Sequence, residues 1–268
     1  MTAPPTFLYG TAWKEERTEA CVTAALAAGF RAIDTANQRK HYYEEGVGRG
    51  IAASGIPRDQ LWLQTKFTFK DGQDARLPYD PSAPITTQVR QSFERSLVHL
   101  GVSFIDSLVL HGPSQHHGLG DDDRDAWRAM ERLVDGGGVG VLGASNMTAA
   151  QVAELITFAK IKPAYIQNRC YAKTAWDQQT RDVCARNGIV YQGFSLLTAN
   201  RQVLANPAVV KIAKSHGTTV AQTVFRFTRQ LGMLPLTGTT SDAHMREDLA
   251  IEDFVLAADE MSVIESAG

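Results

Sequence analysis

Eight short apolar runs, each followed by a stretch of helical periodicity, recur along the chain, and no other feature restricts its fold as much. The runs fall at Thr6–Tyr9, Ala32–Asp34, Leu61–Thr65, Ser107–Leu110, Val139–Gly143, Tyr165–Gln167, Val190–Gly193 and Leu234–Leu236. Between them, apolar residues three and four apart mark amphipathic helices such as Thr18–Ala28, Gln88–Leu100 and Ala149–Lys160. Gly29, Gly101 and Gly188 stand just past helix ends, and Thr148 is placed to cap a helix start. Alternation of this kind means parallel βα units. Eight such units in 268 residues predict an α/β fold, a (β/α)8 TIM barrel, as a single domain over residues 1–268. A doubly wound sheet would carry fewer strands and a GxGxxG turn after the first. The run Gly46-Val-Gly48-Arg-Gly50 lies inside a helical pattern instead.

Composition narrows the class of function. With 27 basic against 29 acidic residues, a formal charge of −2, the chain is no electrostatic trap for nucleic acid. No window approaches eighteen apolar residues, so no membrane span is expected, and no secretory signal is legible in MTAPPTFLYG. Three cysteines, Cys21, Cys170 and Cys184, without CxxC spacing, suit a reducing compartment. The expectation is a cytoplasmic protein.

In such barrels the working face lies at the C-terminal strand ends. The ends of the second, third and fourth runs give Asp34, Lys66 and His111, with Tyr42 and Tyr43 shortly after Asp34. Taken singly, each has an ordinary reading as helix cap, solvated rim charge or hydrogen-bonded core residue. Together they make acid–base chemistry. An ammonium beside a phenol lowers the phenol's pKa from about 10, an aspartate fixes the ammonium, and an imidazole orients a carbonyl oxygen.

Gly29-Phe-Arg-Ala-Ile-Asp34-Thr-Ala36, followed by Tyr42 and Glu45-Gly-Val-Gly48, resembles the aldo-keto reductase signature. The resemblance continues through Thr65-Lys66, Leu110-His111, Gly143-Ala-Ser-Asn146 and Gln167 to Arg246-Glu-Asp-Leu249. It implies reduction of an aldehyde or ketone with a nicotinamide cofactor, and a catalytic tetrad of Asp34, Tyr42, Lys66 and His111. The stretch between aspartate and glutamate is longer than is usual in the family. Counting back from the glutamate lands on His41, whereas a phenol requires Tyr42 or Tyr43. Tyr42 is the assignment made, because the helix is expected to start near Tyr43.

The same resemblance implies a cofactor cleft. Ser145, Asn146 and Gln167 would bind the nicotinamide carboxamide, amide and hydroxyl groups being both donors and acceptors. The alternative is that Ser145 and Asn146 cap the helix beginning near Thr148. Phe194 would stack on the ring, and Ser195 and Leu197 would follow the pyrophosphate. At the adenosine end the family's usual lysine–serine pair and arginine are replaced around Leu236-Thr-Gly-Thr-Thr-Ser241. Gly238, Thr239 and Thr240 would then form an anion site beside a helix N-terminus, with His244 partly charged and no permanent cation. Glu247 and Asp248 would meet the adenine. NADP(H) is favoured, with weaker selection than usual and NAD(H) an open alternative. Trp13 and Phe67 are expected in an apolar substrate pocket, with Phe69 adding a further wall, and Trp127 is expected to pack a helix.

Two long connections, from Phe67 to about Pro84 and from Gly112 to Asp123, are expected to serve function. His116, His117 and Asp121–Asp123 suggest a metal site only weakly, and none is assigned. Met1–Pro5 is too short for the hairpin that often plugs the barrel bottom in this family. The alternative function is a cofactor-binding regulatory or partner subunit with little turnover. The physiological substrate and the oligomeric state are not legible in the sequence.

Overall fold

The computed structural model describes residues 5–268; most of the segment named for the missing plug, residues 1–4, lies outside them. Eight parallel strands close into a barrel: β1 (Leu8–Gly10), β2 (Ala32–Asp34), β3 (Trp62–Phe67), β4 (Ile105–Leu110), β5 (Val139–Ser145), β6 (Tyr165–Arg169), β7 (Val190–Phe194) and β8 (Leu234–Thr237). Closure comes from β8 returning to β1, with Leu8 beside Leu236 and Tyr9 beside Thr237.

Eleven α-helices accompany these strands among the described residues: α1 (Thr18–Ala28), α2 (Glu44–Ser54), α3 (Ile85–Leu100), α4 (Asp121–Asp135), α5 (Ala149–Phe158), α6 (Gln178–Arg186), α7 (Arg201–Ala205), α8 (Pro207–Ser215), α9 (Val220–Gln230), α10 (Asp242–Leu249) and α11 (Ala258–Glu265). None is long and apolar enough to cross a membrane.

Local chemistry sets the boundaries. Helix α3 starts three residues earlier than its periodicity predicts, because Pro84 at the N-cap has φ −54° and needs no hydrogen bond of its own. Helix α5 stops at Phe158, short of Lys160, where the amides of Lys160 and Ile161 donate instead to Glu131 (2.7 and 2.9 Å). Thr148 is the α5 cap, accepting from the Gln151 amide, while Gln151 Oε1 accepts from Thr148 N. Gly101 ends α3 at φ +66°, and Val102 N closes back on Leu97 O at 3.0 Å.

Two apolar regions hold the barrel. The larger lies between strands and helices and includes Phe30, Phe93, Trp127 and Phe225. Trp127 packs there as expected, donating Nε1–H to Ile161 O. The smaller fills the lower barrel interior with Leu8, Ala32, Trp62, Tyr165 and Leu234. Above it the interior turns polar. Gln64, Gln167 and Gln192 link to one another by amide hydrogen bonds, and Ser107 donates to Gln64 Oε1.

The glycines of α2 serve packing. A Cβ on Gly48 would stand 2.1 Å from His99 O, and one on Gly50 2.8 Å from Glu19 O, so α2 presses against α3 and α1. Gly48→Ala is therefore expected to destabilise the protein by about 1–3 kcal/mol, read as a lower midpoint in thermal unfolding. An unchanged midpoint would contradict so close an approach.

Candidate active site

Strand β2 ends in Asp34 and β3 carries Lys66, and the two side chains meet inside the barrel, 2% and 1% exposed. Lys66 Nζ donates to Asp34 Oδ1 (2.6 Å), Asp34 Oδ2 (2.7 Å) and Thr35 O (2.8 Å), which engages all three of its protons. Asp34 Oδ1 also accepts from Gln64 (2.6 Å) and Gln167 (3.0 Å). Removal from water lowers the Lys66 pKa, against the pull of Asp34 in the other direction.

Tyr42 lies against this pair. Its backbone closes a turn on Gln38 O at 3.0 Å, and its ring centre is 5.2 Å from Lys66 Nζ and 5.8 Å from the His111 ring. Tyr43 is the N-cap residue of α2 and packs instead with Arg39 and Arg49. The phenol facing Asp34, Lys66 and His111 is thus Tyr42. Glu44, next along, anchors the segment by accepting from Thr65 and Ser96.

One electrostatic expectation is reversed. The Tyr42 pKa is raised above its ordinary value, by burial first and then by the charge of Asp34. Burial and the charge of Asp34 outweigh any pull from the Lys66 ammonium, whose nitrogen lies 5.2 Å from the ring centre. Tyr42 is accordingly a protonated phenol. His111 is a neutral imidazole, its pKa held down at about 3 by burial, then by Lys66 and His41.

These groups open onto a cavity of about 790 Å³, within the range of small-molecule and cofactor sites. Ser145, Asn146, Gln167, Phe194, Ser195, Leu197, Gly238, Thr239, Thr240, His244, Glu247 and Asp248 all line it, as does Trp13. Ser145 and Asn146 are not helix caps. Ser145 Oγ donates to Gln167 O (2.6 Å), and Asn146 Nδ2 to His111 O (2.8 Å). The amide oxygens of Asn146 and Gln167 have no protein partner among the described residues, which leaves two acceptors for an amide such as a carboxamide. Asn146 and Ser195 both sit at φ +56°, a strained backbone of the kind held at ligand sites.

The expectation for the end of the cavity around Gly238–Thr240 needs correction. A cation is present after all: Lys14, 3% exposed, donates from Nζ to Gly238 O at 2.8 Å across 224 residues of sequence. Its ammonium lies 3.7 Å from where a Gly238 Cβ would stand, so it fills the space a side chain there would use. Burial brings its pKa down to about 8. Two amides of the loop are already engaged within it, Thr239 N by Thr237 Oγ1 and Ser241 N by Thr239 Oγ1. Asp248 is buried on the cavity wall with its pKa raised to about 6, chiefly by desolvation. Arg169, at the end of β6 beside Phe194, is a further cation on the wall that residue spacing did not single out. These residues fit a nicotinamide dinucleotide, with amide acceptors at one end, an aromatic face next to them and a lysine at the other.

Phe67 is also corrected. It is 1% exposed and packs in the core on Phe69 and Tyr79, so it does not reach the cavity. Phe69 lines a flanking cavity of about 670 Å³ that shares His41, His111 and Asn146 with the first. That cavity is not the apolar pocket expected, since Gln38, Lys70, Ser114 and Gln115 also line it. Trp13 stands at the mouth, 68% exposed, with its ring 4.0 Å from His41. His116 and His117 are exposed, Asp123 instead closes the loop by accepting from Ser114 and Gly120, and no metal-holding group of side chains occurs among the described residues.

Comparison with known proteins agrees with this geometry. The model of the Aldo/keto reductase family matches residues 6–268. The chain is 32% identical over 252 residues to a glyoxal reductase of Bacillus subtilis, covering 94% of this chain and 83% of the relative. It is 31% identical to a 9,11-endoperoxide prostaglandin H2 reductase of Trypanosoma cruzi, covering 90% and 79%. Among solved structures it is similar to an aldo-keto reductase enzyme from a Medee basin deep-sea metagenome library, with TM-score 0.86, 26% identity and coverage of 99% and 92%.

Proposed function

The chain belongs to the aldo/keto reductase family, and from that premise we propose that it reduces aldehydes and ketones to alcohols, using NADPH ahead of NADH and Tyr42 as proton donor. One observation carries the reading: a protonated phenol and a neutral imidazole line a cavity of about 790 Å³, backed by a buried ion pair whose Asp34 reaches the same wall.

A bound reduced nicotinamide supplies the hydride that reduces the carbonyl carbon. Asn146 and Gln167 hold the carboxamide, Phe194 covers the ring, and Ser195 and Leu197 border the diphosphate. Lys14 meets the phosphate at the adenosine end, near Gly238–Thr240 and His244, with Glu247 and Asp248 beside the adenine. His111 orients the carbonyl oxygen. The Tyr42 O–H bond breaks as the alcohol O–H forms, and the Lys66 ammonium stabilises the charge left on the phenol. Trp13 and Phe69 border the substrate. The three buried free thiols fit a cytoplasmic setting. The name of the Bacillus relative makes glyoxal-type aldehydes the first to test.

Tyr42→Phe is expected to lower turnover by about 10²–10⁴-fold while leaving cofactor affinity, read by fluorescence titration, unchanged. Full activity in that variant, with loss in Tyr43→Phe, would overturn the assignment. Lys14→Met is expected to raise the KM for NADPH by about tenfold at neutral pH. Because the wild-type ammonium itself loses its charge above a pKa of about 8, the KM ratio of variant to wild type should shrink towards one at higher pH. A ratio that stays constant from about pH 6 to 10 would contradict the role of its charge.

A further inference from the structure

We infer that Thr68 sets the tautomer of His111 and is thereby a positioning residue for the reduction proposed above, on which this inference rests. Thr68 Oγ1 lies 2.7 Å from His111 Nδ1. His111 is held from both sides, its amide donating to Phe67 O (2.9 Å) and its carbonyl accepting from Asn146 Nδ2 (2.8 Å). The ring is neutral, with its pKa down at about 3, and a neutral imidazole carries its one proton on one nitrogen.

Thr68 is 7% exposed, and among the described residues its hydroxyl has no other hydrogen-bond partner than Nδ1. With the ring proton on Nδ1, the hydroxyl would accept it and its own hydrogen would find no protein acceptor among the described residues, on the wall of the flanking cavity. With the ring proton on Nε2, the hydroxyl donates to Nδ1 and both groups are satisfied. Nε2, the nitrogen left available to the cavity, then carries N–H. That polarity suits a carbonyl oxygen, which accepts the hydrogen bond and becomes more electrophilic at carbon. The other tautomer would set a nitrogen lone pair against an oxygen lone pair.

The hydroxyl is itself aimed by its surroundings. Tyr79 Oη donates to Thr68 O at 2.8 Å, which fixes the backbone. The Thr68 methyl fills the room left at Gly72, where a Cβ would stand 2.7 Å from Thr68 Cγ2. The long connection after β3 thus acts through Tyr79 and Gly72 on one hydroxyl.

Nitrogen-15 NMR of His111 in the cofactor-free protein reads the tautomer without any turnover. The expected result is the proton on Nε2 in the wild type from roughly pH 5 to 8, and a populated Nδ1 tautomer in the near-isosteric Thr68→Val. In steady-state kinetics Thr68→Val should lower kcat by about tenfold with KM for NADPH unchanged, and Thr68→Ser should restore both tautomer and rate. A wild-type ring protonated on Nδ1, or a Thr68→Val ring that keeps the proton on Nε2, overturns the inference. The expected tautomer change in a protein that reduces no carbonyl supports the inference about Thr68 and overturns the reductase reading instead.

Discussion

The site depends on one buried contact, the ion pair of Asp34 and Lys66 at 2.6 Å. Such a pair is a poor stabiliser, because taking both charges out of water costs more than their attraction returns unless every remaining lone pair and proton is satisfied. Here that satisfaction is nearly complete. Lys66 reaches Thr35 O as well as both carboxylate oxygens, and Gln64 and Gln167 donate to Asp34. The same glutamines join Gln192, so a hydrogen-bonded layer spans β2, β3, β6 and β7 across the barrel interior. The polar layer that makes the charges tolerable also ties the strands that carry the site.

The electrostatics at the reaction end follow from that balance. An ammonium beside Tyr42 favours the phenolate, but burial, joined by the charge of Asp34, is the larger effect, and the phenol keeps its proton. His111 is neutral for the same reason, burial reinforced by nearby positive charge. The reacting end therefore presents neutral hydrogen-bond donors next to a compensated ion pair. The other end of the cavity presents a cation, Lys14, with Asp248 buried close to the same wall. This division suits a ligand with an uncharged reacting ring and an anionic tail.

Much of this was legible in the sequence. The eight strands appear where periodicity put them, within a few residues, because each apolar run is short and several follow a helix-ending glycine such as Gly29, Gly101 or Gly188. Asp34, Lys66 and His111 were readable as strand-end residues. What remained hidden depends on closure and on side-chain direction. Lys14 follows β1, and only the pairing of β1 with β8 brings it to Gly238. Phe67 and Phe69 look alike as letters, yet one faces the core and the other a cavity. The choice between Tyr42 and Tyr43 turned on the α2 boundary, which spacing located only approximately. Thr68 carried no signal at all, since a threonine two residues past a lysine has no meaning until β3 and β4 lie side by side.

The most direct test of the account is the fate of a labelled hydride. With C4-deuterated NADPH and an aldehyde, the wild-type protein should give an alcohol carrying deuterium on the former carbonyl carbon. In Lys66→Met, which leaves Asp34 buried and uncompensated, that transfer should fall steeply. Bound cofactor with no labelled alcohol from any aldehyde or ketone would contradict the assignment of this site to carbonyl reduction, and undiminished transfer in Lys66→Met would contradict the dependence of the site on its ion pair.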